Sequence, residues 1–213
     1  LGGKRISFNN LLDLDAGRLL LAEFQIPACV IIKHNNPCGV AVGSTPTEAY
    51  QRALACDPMS SFGGVVCMNR AVHADLARLL AEQFIELLFA RGYEDGAVEI
   101  LSEKPNRRIL DDREQRTPDM IEPQMRQVVG GLLVQDRDAD LEERSEMQVA
   151  TERRPTEAEW EELGFAWRVC KHVKSNAIVI SRDLSTIGIG AGQMSRVDAV
   201  RVAIDKARDG VSG

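Results

Sequence analysis

The sequence has few histidines, no surplus of positive charge, no long apolar run and an odd number of cysteines, and each shortage closes off a class of protein. Its 213 residues carry 26 Lys and Arg against 32 Asp and Glu, a formal net charge of −6. An acidic chain offers no extended face to neutralise polyphosphate, which argues against a general nucleic-acid or membrane-surface binder. The longest apolar runs reach about six or seven residues, far short of the ~20 that span a bilayer. The five cysteines, Cys29, Cys38, Cys56, Cys67 and Cys170, are dispersed and mostly sit inside apolar runs. They read as free thiols rather than a disulfide framework, which points to a cytoplasmic protein. Neither His73 nor His172 has a partner at metal-site spacing. The chain opens on Leu1 without an initiator Met or a secretory leader, and stops at Asp209-Gly210-Val211-Ser212-Gly213 just after an expected helix; we read it as an excerpt of a longer reading frame. At about 150 residues per domain, the length allows one large or two small domains with a proper core.

What is present is an alternation of short apolar strands and amphipathic helices. A helix over roughly 13–24 precedes the β-branched run Ala28 to Ile32, which suits a strand buried on both faces. A polar turn, Lys33-His34-Asn35-Asn36-Pro37-Cys38-Gly39, follows it. The next helix announces itself with Thr45 as N-cap, Pro46 at its first position and Glu48 at the third. Strands at 65–68, 84–89 and 108–110 alternate with helices at 72–82 and 95–103, a rhythm that predicts an α/β fold with a largely parallel sheet flanked by helices. Another strand lies at 127–134, where Gly130-Gly131 suggests a bulge. The charge-dense stretch 138–155 reads as a linker, dividing a unit at 1–137 from one at 156–213. The second unit opens on the capping box Thr156-Glu157-Ala158-Glu159 and continues with strands at 177–180 and 186–190 and a helix at 195–207.

Lys33 and His34 stand where a buried strand ends, which in open parallel sheets is where ligands bind. A lysine there can stabilise developing negative charge or protonate a leaving group, and a histidine can accept a proton near neutrality. The alternative is a Lys-His pair at an ordinary exposed turn. Zinc hydrolysis is rejected: nucleobase deaminases need H-x-E and P-C-x-x-C, whereas His34 is followed by Asn35-Asn36 and Pro37-Cys38 by no second cysteine. No metal is therefore expected. Gly188-Ile189-Gly190-Ala191-Gly192-Gln193 fails as a dinucleotide fingerprint because Gln193 replaces the last glycine. It reads as a strand entering a Gly-rich turn before a helix N-terminus at Ser195-Arg196, suited to a small anion or to simple chain reversal.

Several blocks in order, GKRISFNNLLDLDA, ACVIIKHNNPCGVAVG, DPMSSFGGVVCMNR, VVGGLLVQDRD, AWRVCKHVKSNAIVI and TIGIGAGQMSRVDAVRVAIDKA, resemble the transformylase part of the AICAR transformylase/IMP cyclohydrolase family. The resemblance covers the chain outside about 104–123 and 138–156. It implies two cytidine-deaminase-like α/β subdomains, both truncated, and formyl transfer from the co-substrate 10-formyltetrahydrofolate to the 5-amino group of AICAR in purine synthesis. It further implies Lys33 and His34 as the catalytic pair, with His34 taking the amine proton and Lys33 stabilising the oxyanion or protonating the departing folate nitrogen. Gly63, Glu86, Asn176, Ser195 and Arg196 then match substrate-binding positions, and the full protein is a homodimer. Glu86 stands where other members can have Asp, and Arg91 where Pro is usual. The family's R-Y-G-x-N-P-H-Q segment, its C-terminal motifs and its cyclohydrolase domain are missing, so the chain alone is expected to be inactive. The alternative is a non-catalytic ribotide-binding or dimerisation module.

Overall fold

A computed structural model describes residues 1–112, 122–138 and 144–207. Helix α1 (Phe8–Leu21) leads into β1 (Ala28–Lys33) and β2 (Asn36–Val42), then α2 (Pro46–Cys56) and the one-turn α3 (Pro58–Ser61). Strand β3 (Gly64–Met68), α4 (Ala74–Glu82), β4 (Ile85–Ala90), α5 (Ala97–Ser102) and β5 (Arg108–Asp111) follow. The hairpin β6 (Gln124–Val128) and β7 (Gly131–Gln135) comes next, then α6 (Glu157–Lys171), β8 (Ile178–Arg182), β9 (Ser185–Gly190) and α7 (Arg196–Ala207). Seven strands form one sheet in the order β5-β4-β3-β1-β2-β9-β8, so strands from both sides of the 138–155 stretch share it.

The α/β class and the helix-flanked sheet are as expected. The strand directions differ from the expected mainly parallel arrangement: β3–β4 and β4–β5 are parallel, while β1–β2, β1–β3, β2–β9 and β8–β9 are antiparallel. The cause is local. The expected seven-residue turn after β1 shrinks to His34-Asn35, both left-handed at φ 51° and 62°, which is the two-residue hairpin turn whose twist matches its strands. Asn36–Val42 then pairs back as β2, with a register shift opposite Pro37 that accommodates the missing N–H. Asp183-Leu184, at φ 52° and 57°, makes the same turn between β8 and β9. The expected bulged strand at 127–134 is likewise a hairpin, turning at Val129-Gly130.

The sheet is covered on both sides, which explains the unbroken apolar run of β1. Cys29 and Ile31 point to one core with Tyr50, Leu76, Leu80 and Leu101, beneath α2, α4 and α5. Ala28, Val30 and Ile32 point to the other, with Leu20, Phe165 and Val169 from α1 and α6. Helix α1 starts earlier than the expected 13, because Ser7 accepts from the Asn10 N–H and Asn10 returns the bond in a capping box. The Gly188-Ile189-Gly190 motif has a packing role: a Cβ at Gly188 or Gly190 would lie 2.1 or 1.9 Å from the Ala203 or Ala199 carbonyl oxygen, so α7 rests directly on the strand backbone. Its buried face is correspondingly made of Ala199, Ala203 and Ala207.

In the charged stretch, Arg153 forms paired 2.8 Å hydrogen bonds with Glu159 of α6, and Arg144 donates to Glu157. Positions 139–143 of that stretch and the terminal Asp209–Gly213 lie outside the described residues. All five cysteines are free, and four are buried. No helix among the described residues is long and apolar enough to cross a membrane.

Candidate active site

Antiparallel pairing brings one edge of the sheet together from both ends of the sequence. Ile32 lies opposite Val65, Gly64 opposite Ile85, and Ile178 opposite Gly190. The last residue of β1, the starts of β2, β3, β4 and β8 and the end of β9 therefore share that edge. Lys33, His34, Gly63, Glu86, Asn176 and Ser195 all lie along it, with Arg196 opening α7 beside them. The parallel-sheet rule that first singled out Lys33 does not apply, because β1 is antiparallel to both neighbours and the edge carries the amino ends of the parallel strands.

The Lys33 ammonium is half-buried and donates to the carbonyl oxygens of Phe62 and Gly63, both at 2.9 Å. Two carbonyls take up two of the three ammonium donors and fix where the nitrogen sits. Glycine suits position 63 because its φ is +66°, and a Cβ there would also crowd the Phe84 ring at 3.1 Å and the Lys33 nitrogen at 3.2 Å. Its N–H is fixed by the Phe84 carbonyl at 2.7 Å. The rings of Phe62 and Phe84 are 62% and 44% exposed with centroids 5.1 Å apart, so an aromatic wall stands beside the lysine.

His34 is exposed at the hairpin tip. Its neighbours pin the turn: the Asn35 N–H donates to Asp13 of α1 at 2.6 Å, and the Asn36 side-chain oxygen accepts from the Lys174 N–H at 3.0 Å. Lys174 accepts from the Gly192 N–H at 2.6 Å, and Asn176 exchanges backbone bonds of 3.1 and 3.4 Å with Gln193. The Asn176 side chain donates to the carbonyls of Gln193 and Met194. A continuous set of bonds thus links the Lys33-His34 tip to the loop immediately before Ser195, whose carbonyl accepts the Ala199 N–H of α7.

Glu86 is held by Arg108 at 3.2 Å and by the Asn10 side chain at 3.3 Å. The structure brings Lys33 and Gly63 into contact, joins His34 to Asn176 through Asn36 and Lys174, and places Glu86 on the same edge within its own ion pair. Arg196 is exposed. Cys38 is no nucleophile: burial pushes its thiol up to about 12, and it faces Ser61. The sequence reading missed Asp13, Asn36, Lys174 and Arg108, which act through tertiary contacts, and Asp57. The last carried a local signal, since Asp57-Pro58 repeats the cap-then-proline pattern of Thr45-Pro46.

The family model described as the AICARFT/IMPCHase bienzyme matches residues 1–206. The chain is 49% identical over 220 residues to the bifunctional purine biosynthesis protein PurH of Anaeromyxobacter sp. (strain Fw109-5), an alignment taking in 98% of this chain and 41% of that protein. It is 48% identical over 215 residues to the PurH protein of Anoxybacillus flavithermus (strain DSM 21510 / WK1), with 100% and 42% covered. The chain thus spans about two fifths of the length of these relatives. Among solved structures, the dCMP deaminase of cyanophage S-TIM5 in its apo form aligns over 50% of this chain and all of its own, at TM-score 0.36 and 9% identity, too slight a likeness to bear on fold or function.

Proposed function

Because the chain belongs to the AICARFT/IMPCHase bienzyme family, we propose that it carries the Lys-His centre of a formyl transfer in purine biosynthesis. The donor is 10-formyltetrahydrofolate and the acceptor the 5-amino group of AICAR. The observation that supports this reading is the pairing of an exposed histidine with a lysine held by two carbonyls, on a tip locked by bonds from three separate segments.

The acceptor amine is a weak nucleophile, its lone pair delocalised toward the neighbouring carboxamide, so the reaction needs orientation and proton removal together. The amine nitrogen attacks the formyl carbon, and His34 takes the proton it sheds. The Lys33 ammonium stabilises the tetrahedral oxyanion. As the bond from formyl carbon to folate nitrogen breaks, Lys33 supplies the proton that nitrogen gains. Proton count balances: one leaves the amine, one arrives on the folate. The exposed faces of Phe62 and Phe84 give a heterocycle a surface to stack on. Gly63, Asn176, Ser195 and Arg196 line the edge where the ribotide would lie, and Glu86 orders its near side through Arg108. In the full-length protein the same edge is completed by further segments and by a second copy of the chain.

The second reading, a ribotide-binding or dimerisation module without turnover, predicts a different outcome in one paired experiment. AICAR is titrated calorimetrically into the full-length protein and into this chain, and formyl transfer is followed in both. Transfer by the full-length protein that fails in the Lys33→Met variant supports the enzyme reading. Binding without transfer by the full-length protein favours the module.

A further inference from the structure

We infer that Asp57 is a positioning residue for Lys33, acting through the one-turn helix α3 and anchored by Lys206 of α7. Lys33 owes its place to two carbonyls, and those carbonyls belong to Phe62, the C-cap of α3, and to Gly63 just after it. A four-residue helix is too short to hold itself, since a single turn fixes several dihedrals for one hydrogen bond. Its position is set by its ends. At the far end the Gly63 N–H is tied to Phe84. At the near end Asp57 supplies the cap: one carboxylate oxygen accepts from the Ser60 N–H at 2.9 Å, and its carbonyl accepts from the Ser61 N–H at 3.0 Å and the Ser61 hydroxyl at 2.8 Å.

The second carboxylate oxygen of Asp57 meets the Lys206 ammonium, which also donates to the Ser60 hydroxyl at 3.2 Å. Asp57 is buried. Burial alone would raise its carboxyl, but hydrogen bonds from Lys206 and Ser60 outweigh that and hold it below the ordinary carboxylate value. Asp57 is therefore ionised at neutral pH. An ionised group buried this deeply keeps its partners in fixed geometry, because losing either would leave an unpaired charge. The line from Lys206 through Asp57 and α3 to Lys33 ties a helix near the end of the chain to a strand near its start.

The inference rests on Lys33 belonging to the transfer centre, so the test contains a control for that reading. In the full-length protein, Asp57→Ala removes the cap and the ion pair. It is expected to lower kcat by roughly tenfold or more while leaving KM for AICAR within about twofold, as misplacement of a reacting group does. The Lys33 13Cε resonance, assigned by its loss in Lys33→Met, should shift. Asp57→Asn keeps the acceptor for Ser60 and loses the charge, so kcat should recover to within about fivefold of the parent with a smaller shift. If Asp57→Ala does not fold, Asp57→Asn and Lys206→Met carry the test. An unmoved Lys33 resonance with parental kcat in the variants that fold, or a loss confined to KM, overturns the inference. Full activity in Lys33→Met refutes the underlying reading instead; an inactive Lys33→Met beside a fully active Asp57→Ala refutes only the positioning role.

Discussion

The hairpins β1–β2 and β6–β7 each turn on two residues, yet in β1–β2 all but Lys33 and Asn36 are buried, while every strand residue of β6–β7 is exposed. Their turns differ too. The first has two left-handed residues, His34 and Asn35; the second has one, Gly130, around which a Cβ would meet open space. A hairpin with no covering layer is marginal in water whatever its strand propensity. Leu132, Leu133 and Val134 are as apolar as the residues of β1 but are each more than half exposed. Among the described residues, the first hairpin alone lies between helices on both faces of its sheet, and its tip is held by Asp13 of α1 and by the Lys174 N–H. Covering layers, rather than strand chemistry, turn a hairpin into a rigid platform.

Core deletion should separate the two hairpins most sharply. Ile31→Ala empties space in a fully buried strand and should cost about 2–5 kcal/mol, whereas Leu133→Ala should stay within about 0.5 kcal/mol. Urea titrations of both variants measure the difference, and equal losses would remove the distinction. A smaller effect is expected at the tip. Asp13→Ala strips the Asn35 N–H of its acceptor and should cost about 1–2 kcal/mol, with faster amide exchange at Asn35 and none of that acceleration at Val129.

The smallest effect concerns how α1, which covers the first hairpin, is fastened to α6. Glu23 pairs with His172 at 2.8 Å and with Lys171 at 3.4 Å. Burial alone would raise its carboxyl, but the hydrogen bonds and charges of His172 and Lys171 outweigh it and hold Glu23 below the ordinary value of 4.5. A carboxyl lowered by folding contributes stability that is present above the unfolded value and lost as pH falls through the folded one. The Glu23 contribution to the melting temperature should therefore hold from neutral pH down to about 4.5 and be lost below it, and Glu23→Gln should flatten part of that acid-side drop.

Much of this arrangement is local enough to be legible in the sequence. The β-branched run of β1 requires burial on both faces, and the capping box at Thr156 and Glu159 closes reciprocally as its spacing implies. The signal at Thr45 is read correctly for the helix start, although Glu48 reaches back to the Ser44 N–H rather than to Thr45. Strand β2 is illegible because Pro37 and Gly39 depress strand propensity; it exists because Gly39 lets the Ala53 carbonyl of α2 lie against its backbone. Strand direction is likewise hidden, since it turned on two residues, His34 and Asn35, whose side chains do not demand a left-handed backbone. Lys33 and His34 are legible as chemistry at a strand end. What fixes them is not: Asp13 is 22 residues from Asn35, and Lys174 is 138 from Asn36.

The claim that the β1–β2 tip performs the transfer is tested most directly at its exposed histidine. His34→Asn suits the purpose because asparagine tolerates the left-handed backbone that His34 occupies at φ 51°, so the turn survives while the proton acceptor is lost. Formyl transfer from 10-formyltetrahydrofolate to AICAR is measured in the full-length protein with unchanged melting temperature as the control. A fall in kcat by about 100-fold or more is the expected result. Turnover at the parental rate in a correctly folded variant would contradict the account.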